Sequence, residues 1–276
     1  MNTTSRLSVT LRSVLIIVLA VIWFLPTYLI IVNAFTSNTG YTGEVSWFPK
    51  DFSLFENIGL AWQAVNLGPS LLNSLLYAVV AGGIAVLVAA LAGFAVSAIP
   101  GGWRTFWFWL IYCGALFPAQ AFLRPLFTGF ADTGLYDTRW GLFLIYVATC
   151  VPFSFFIMRN HMLSIPPEIN EAAQLDGANW WTVFTRFFLP LSKSALAAAF
   201  IFQFVWVWNE LLFGITLSYS ENIRPVMAAL AGLQSNYGTV GPPVVLAGAL
   251  FVSLPTVIVF LLFQRVFASS LGGAKV

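Results

Sequence analysis

Charge is what this chain has least of. Only 8% of its 276 residues are Asp, Glu, Lys or Arg, against roughly 25% in ordinary soluble domains, so a water-facing globular surface is excluded. Twelve basic residues stand against ten acidic ones, and the resulting net charge of +2 is too small to point to nucleic acid. Cysteine is reduced to Cys113 and Cys150, both inside apolar segments and without paired spacing, which argues against a disulfide framework or a zinc site. A single histidine, His161 beside Arg159, has no convergent partners for acid-base or metal chemistry, and a structural role is expected for it. The three lysines, Lys50, Lys193 and Lys275, follow Pro, Ser and Ala, so the Gly-Lys-Ser/Thr pattern of a phosphate-binding loop is missing. If nucleotide drives the function, another polypeptide binds it. There is no low-complexity tract and no repeat of fixed period.

What the chain has is apolar length. Runs at 13–35, 70–99, 105–130, 141–158, 191–213 and 244–263 each approach the ~20 residues that cross a bilayer. The expectation is an all-α membrane protein with six transmembrane helices: an N-terminus of residues 1–12, one membrane domain of residues 13–264, and a tail of residues 265–276. The first run is too bulky for a secretory signal and is expected to remain as a helix loosened near Pro26. Residues 36–69 are too irregular for a span. Gly82-Gly83, Ala89-Ala90 and Ala92-Gly93 give the second run small surfaces for close helix packing. The third contains Pro118, Gln120 and Arg124-Pro125, and its second half is expected to break or end early. With six spans, Arg6, Arg12, Arg104, Arg159, Arg186, Lys193, Arg265 and Lys275 share one side, whereas Lys50, Arg139 and Arg224 lie on the other, joined by Arg124 if it stands at the outer end of the third span. Positive-inside asymmetry therefore puts both termini and residues 159–190 in the cytoplasm of a multi-pass protein.

Residues 165–179 are a polar hinge between the fourth and fifth spans. Pro166 and Pro167 suit a first helical turn, and Glu168 and Glu171 place negative charge near the positive end of the helix dipole. Asp176-Gly177 supplies a stop, because glycine takes the left-handed conformation without a Cβ penalty. Asn179 can cap a second helix through Trp180, Trp181, Phe184 and Phe187-Phe188, before Pro190 turns the chain back. The predicted product is an exposed helix-turn-helix with a small Ala172/Ala173 surface and an acidic rim, shaped for a groove in another protein. In the fifth span, Gln203, Trp206, Trp208, Asn209 and Glu210 interrupt an apolar helix; so do Gln120 and Arg124 in the third. Amides next to aromatic faces suit a sugar-lined path, and aromatic residues also suit an interfacial belt. Both readings are open for this group.

The hinge carries a family resemblance. Glu171-Ala172-Ala173, Asp176-Gly177-Ala178 and Leu189-Pro190 resemble the EAA…G…LP coupling loop of importer-type ATP-binding-cassette (ABC) permeases. Tyr136-Asp137-Thr138-Arg139-Trp140-Gly141, Trp208-Asn209-Glu210, Asn236-Tyr237-Gly238-Thr239 and Gln264-Arg265 are similar to blocks of the carbohydrate-importer branch, in particular its smaller permease. The resemblance runs from about Asn73 onward. Ser194 departs from it, where the family usually has a second proline, and the tail is shortened.

The resemblance implies the type I ABC importer permease fold, with cytoplasmic coupling helices between spans four and five. It implies a bacterial or archaeal cell membrane and a carbohydrate or related polar solute. Glu168, Glu171, Ala172, Ala173, Asp176 and Gly177 would then dock on an ATPase subunit. Gln120, Gln203, Trp206, Trp208 and Asn209 would line the path, and Asn236, Tyr237 and Gly238 would reach an extracytoplasmic solute-binding protein. The implied partners are a second permease in a heterodimer, an ATPase dimer holding ATP and Mg, the binding protein and the lipid bilayer. This chain itself would bind no cofactor and would not be an enzyme. The alternative is a stand-alone secondary transporter of a polar solute, which would be expected to show inverted repeats and ionisable groups at mid-membrane depth.

Overall fold

The computed structural model describes residues 6–235 and 240–272, and every regular element among them is helical. Among the described residues four helices are long and apolar enough to cross a membrane: 9–34 within α1 (Arg6–Ala34), α3 (Leu67–Ala98), α6 (Arg139–Met162) and 242–264 within α13 (Pro242–Gly272). A fifth crossing is available if α8 (Trp180–Val183), its π-helical continuation Phe184–Phe188 and α9 (Leu189–Leu191) are counted with α10 (Lys193–Asn209), from which they are bent by 76°. The bend lies just after Pro190, the residue expected to turn the chain.

The third expected span is not one helix. Residues 105–130 fall in α4 (Arg104–Cys113) and α5 (Ala119–Thr133), of 10 and 15 residues, each short of a bilayer crossing. Pro118 has no N–H to continue a helical ladder and stands extended, at ψ 132°, ahead of α5. Pro26, by contrast, is accommodated inside an uninterrupted α1.

The chain divides into two compact units. The first comprises residues up to Leu67 together with Leu230–Ser253. Its loop between α1 and α2 (Leu54–Ala64) is held by side chains that bond to backbone. Asn33 donates to the Leu29 and Ser46 carbonyls and accepts from the Ser46 amide at 2.8 Å. Asn57, fully buried, donates to the Ala34 and Thr36 carbonyls at 2.9 and 2.8 Å. Asp51 accepts from the Ser37 amide and hydroxyl, and the amide bond above all holds its carboxyl below the ordinary value. The segment expected to be irregular is thus an ordered cap on α1. None of the most apolar stretch of α1 is buried, so its surroundings are left to supply its packing.

The second unit runs from Gly68 to Ala229 and resumes at Leu254. Ala78, Ala81, Ala85 and Ala89 recur at helical spacing on α3 and are fully buried, giving a flat seam where neighbouring helices come close. At Gly93 α3 comes close to the α6 backbone: a Cβ there would lie 3.1 Å from the Arg159 amide nitrogen and 3.3 Å from Met158, so a side chain would require the two helices to give by a few tenths of an ångström. Tyr77, Tyr146 and Phe155 fill the wider layers.

Replacing Asn57 with Ala removes the donor of two buried carbonyls, a loss of about 1–3 kcal/mol of unfolding free energy. Denaturant unfolding of the purified chain in detergent should show the drop; an unchanged midpoint would mean that water reaches those carbonyls.

Candidate functional site

The polar hinge folds as two capped helices. α7 (Pro167–Leu175) begins on Pro167 with Glu168 in its first turn. It ends in a paired closure: the Ala178 amide donates to the Ala173 carbonyl and the Gly177 amide to the Gln174 carbonyl, both at 3.0 Å, with Gly177 left-handed at φ 78°. Nothing lies within 4 Å of where a Gly177 Cβ would be, so the backbone angle alone demands glycine there. The Asn179 side chain then accepts from the Thr182 amide at 2.8 Å and opens α8.

Glu168, Glu171, Ala172, Asp176 and Gly177 are exposed together on this knuckle. Ala173 is not; it is buried in the chain's own core, where its small side chain lets α7 lie against the aromatic cluster beneath. In the apolar part of the exposed face Leu175 joins Ala172, one turn away, with 89% of its surface open. Sequence reasoning passed over Leu175. Its position three residues after Ala172, at the end of a polar helix, was the available signal.

Beneath the knuckle the Phe94 ring meets Phe188, Phe184 and Trp180 at centroid distances of 4.9, 5.3 and 6.3 Å. The same buried cluster takes Met158 and Met162 from α6 and Ala195 and Ala199 from α10. α7 and α8 are therefore keyed into α3, α6 and α10 at once. His161 sits at this end, its Nε2 3.3 Å from the Leu191 carbonyl, and the Arg159 guanidinium lies 4.5 Å over the Phe108 ring.

Higher in the same unit is a cavity of about 490 Å³. Phe117, Phe153, Phe202 and Trp206 supply aromatic walls, and Gln203 and Thr149 supply the polar groups. The Gln203 side chain is buried, and its Nε2 has no hydrogen-bond partner among the described residues. Of the five expected path residues, Gln203 and Trp206 meet here. Gln120 is exposed on α5 and off the cavity wall. Trp208 is buried and stacked on Phe204 at 5.8 Å, and the Asn209 amide donates to the Val205 carbonyl. Glu210, left open between belt and path, is buried: its carboxylate accepts from the Phe213 and Gly214 amides at 2.9 and 3.1 Å and from the Tyr146 hydroxyl. It closes the start of α11 (Leu212–Leu217). Asn236, Tyr237 and Gly238 lie outside the described residues. Among the described residues no cluster of three or more His, Cys, Asp or Glu could hold a metal.

At the end of the unit away from the knuckle, the segment 218–226 is tied down by the block that begins at Tyr136. Asp137, itself left-handed at φ 55°, accepts from the Tyr219 and Ser220 amides and from the Ser220 hydroxyl. Arg139 donates to Asn73 and to the Asn222 carbonyl, Asn73 to the Asn222 carbonyl, and Tyr77 to the Ile223 carbonyl. Burial works against ionisation of Asp137. The hydrogen bonds from Ser220 and Tyr219, with the Arg224 charge, outweigh it and hold the carboxyl below its ordinary value.

Residues 85–271 match the family model described as "Binding-protein-dependent transport system inner membrane component". The chain is 31% identical over 265 residues to the diacetylchitobiose uptake system permease protein of Streptomyces coelicolor, covering 93% of this chain and 85% of that one. It is 32% identical over 230 residues to the sn-glycerol-3-phosphate transport system permease protein of Yersinia pestis, covering 79% of each. In fold it is similar to a chain from the crystal structure of a bacterial ABC transporter involved in the import of the acidic polysaccharide alginate, with TM-score 0.76, 24% identity and coverage of 96% and 98%.

Because the folded Asp137 carboxyl titrates below its unfolded counterpart, its stabilisation is complete above about pH 5 and is lost as pH falls through the depressed value. Asp137→Asn should lower stability at neutral pH and flatten the acid limb of a melting-temperature profile; an unaltered acid limb would remove Asp137 from this account.

Proposed function

The chain belongs to the binding-protein-dependent transport system inner membrane components, and from that premise we propose the way in which this ABC permease subunit receives work and meets its solute. The permease role stands over that of a stand-alone secondary transporter, since the matched relatives carry permease names from uptake systems. The chain is a multi-pass protein of the cell membrane.

In this proposal it crosses the membrane six times. The crossings are α1, α3, the α4 and α5 pair as a broken third span, α6, the bent α8 to α10 segment, and α13. Both termini and the knuckle face the cytoplasm, as the basic residues favour. The domain 13–264 pairs with a second permease, and an ATPase dimer that carries ATP and Mg receives the knuckle in a cleft. Glu168, Glu171 and Asp176 would meet basic groups there. Ala172 and Leu175 would supply the close apolar contact, and Ala173 and Gly177 the shape. An extracytoplasmic solute-binding protein delivers a carbohydrate or similar polyol to the Gln203 cavity, where the unpartnered amide and aromatic walls suit hydroxyl groups and sugar faces. Asn236, Tyr237 and Gly238 keep their expected role toward that binding protein.

The observation that carries this reading is the capped knuckle keyed by Phe94, Phe184 and Phe188 into three long helices. Close-packed rings transmit a displacement rather than absorb it. ATP can bias the inward-open and outward-open states only through contacts that differ between them, and the knuckle is where such contacts would form.

Co-purification of the tagged chain with an ATPase subunit and a second permease tests the assembly; recovery of the chain alone from gentle detergent would count against it. Gly177→Val forces a β-branched residue into the left-handed region, at about 1–2 kcal/mol of strain or more, whereas Asn tolerates that region. Solute uptake in proteoliposomes should collapse for Gly177→Val, with the complex still assembled, and survive largely for Gly177→Asn. Equal loss in both would place the effect elsewhere. Gln203→Leu should raise the KM for uptake by about 3–10-fold, the loss of one neutral hydrogen bond, without disturbing assembly; an unchanged KM would remove Gln203 from the path.

A further inference from the structure

Glu210 makes more bonds than the start of a helix requires. Among the described residues it is the only Asp, Glu, Lys or Arg side chain that is buried. A Ser or Asn suffices to cap helix amides, and a carboxylate taken out of water is far more costly to bury. What the longer side chain adds is reach. Besides the Phe213 and Gly214 amides, its carboxylate accepts from the hydroxyl of Tyr146, a fully buried residue of α6, at 3.3 Å. This bond is one of two rungs between the same helices. Further along α6 and further back along α10, the Phe153 and Phe202 rings meet edge to face at 5.7 Å, so the two helices run in opposite senses. The polar groups of the cavity of about 490 Å³ lie between the rungs: Thr149 three residues after Tyr146, and Gln203 seven before Glu210. The Thr149 hydroxyl donates to the Tyr146 carbonyl at 3.2 Å.

We infer that Glu210 and Tyr146 are positioning residues for this cavity. Neither lines it, and their bond sets the spacing of the two helices that carry its polar groups. A third wall is tied in through α11, whose first turn Glu210 closes and which packs on α5; Ala119 and Phe122 of α5 line the cavity. Releasing the carboxylate from Tyr146 frees α6 from α10 at one rung and leaves the contact of Phe153 with Phe202 as the other, so the walls part on one side. The inference deepens the proposed reading and rests on it only for what enters the cavity: the Gln203 amide meets the solute there, and Glu210 with Tyr146 sets how closely the walls fit it.

The full assembly in nanodiscs, with Cys113 and Cys150 replaced by Ala, carries a single reporter cysteine in this chain. The reporter is Gln203→Cys or Thr149→Cys in the cavity, or Ala199→Cys, one turn from Gln203 but buried in the cluster beneath the knuckle. Its rate of modification by a small methanethiosulfonate reagent is read with and without Tyr146→Phe, which keeps the ring and removes the hydroxyl alone. Both cavity reporters should react about threefold faster in Tyr146→Phe, the loss of one long hydrogen bond, with the Ala199→Cys rate unchanged. Glu210→Gln should act in the same direction, read on Thr149→Cys. Adding Tyr146→Phe to it should bring no further gain, because the two side chains act as a pair. Failure of either cavity reporter to accelerate overturns the inference. So does an equal acceleration at Ala199→Cys, which would mean general loosening, or full multiplication of the two effects. Uptake by Gln203→Leu is read separately: an unchanged KM there removes the cavity from the solute path, and the reporter rates still decide whether the pair positions its walls.

Discussion

Hydrocarbon offers a backbone amide or carbonyl nothing to bond to, so every interruption of a helix within this chain has to be satisfied from inside the chain. That constraint explains where its few buried polar side chains have gone. Glu210 takes up the Phe213 and Gly214 amides where α10 gives way to α11. Asn57 covers the Ala34 and Thr36 carbonyls where α1 ends, and Asn73, Ser74 and Tyr77 do the same for the segment 222–226. Residues that look like solute ligands in an apolar sequence are, for the most part, closing backbone.

Once those groups are assigned, what is left unsatisfied becomes informative. Of the buried amide side chains, Asn57 has an unpartnered atom, its Oδ1, and so has Gln203, which lines a cavity among rings and whose buried Nε2 has no partner among the described residues. Asn209, six residues later, is bonded to the turn before it, and Trp208 is packed against Phe204. Gln203, the proposed path residue, differs from these neighbours in hydrogen bonding more than in residue type.

The same economy shapes the knuckle. Its outer face is polar apart from Ala172 and Leu175 on α7 and Trp181 on α8, and its inner face is Ala173 on a cluster of phenylalanines. Gly93 allows α3 to touch the α6 backbone beside that cluster, so the knuckle rests on helices already in contact. A stiff stop at Gly177 and a cap at Asn179 set the angle between α7 and α8, and the 76° bend near Pro190 carries the chain into α10. Each is a local backbone device, and together they join an exposed polar surface to the membrane helices.

Apolar length, turn residues and caps act over a few neighbours, and they were legible in the sequence alone: the membrane class, the position of the knuckle, its glycine stop, its Asn179 cap and the break near Pro118. Which side chains face one another depends on contacts between residues far apart in the chain, and only the tertiary structure decided those. It turned Ala173 inward and left Leu175 bare, sent Glu210 to a helix start, tied Asp137 to Ser220, and brought Gln203 and Trp206 to one cavity without Gln120. A helix of uniformly apolar residues carries little periodic contrast, as the buried alanine seam of α3 illustrates, so its composition announces that it lies in the membrane and says almost nothing about which face meets which neighbour.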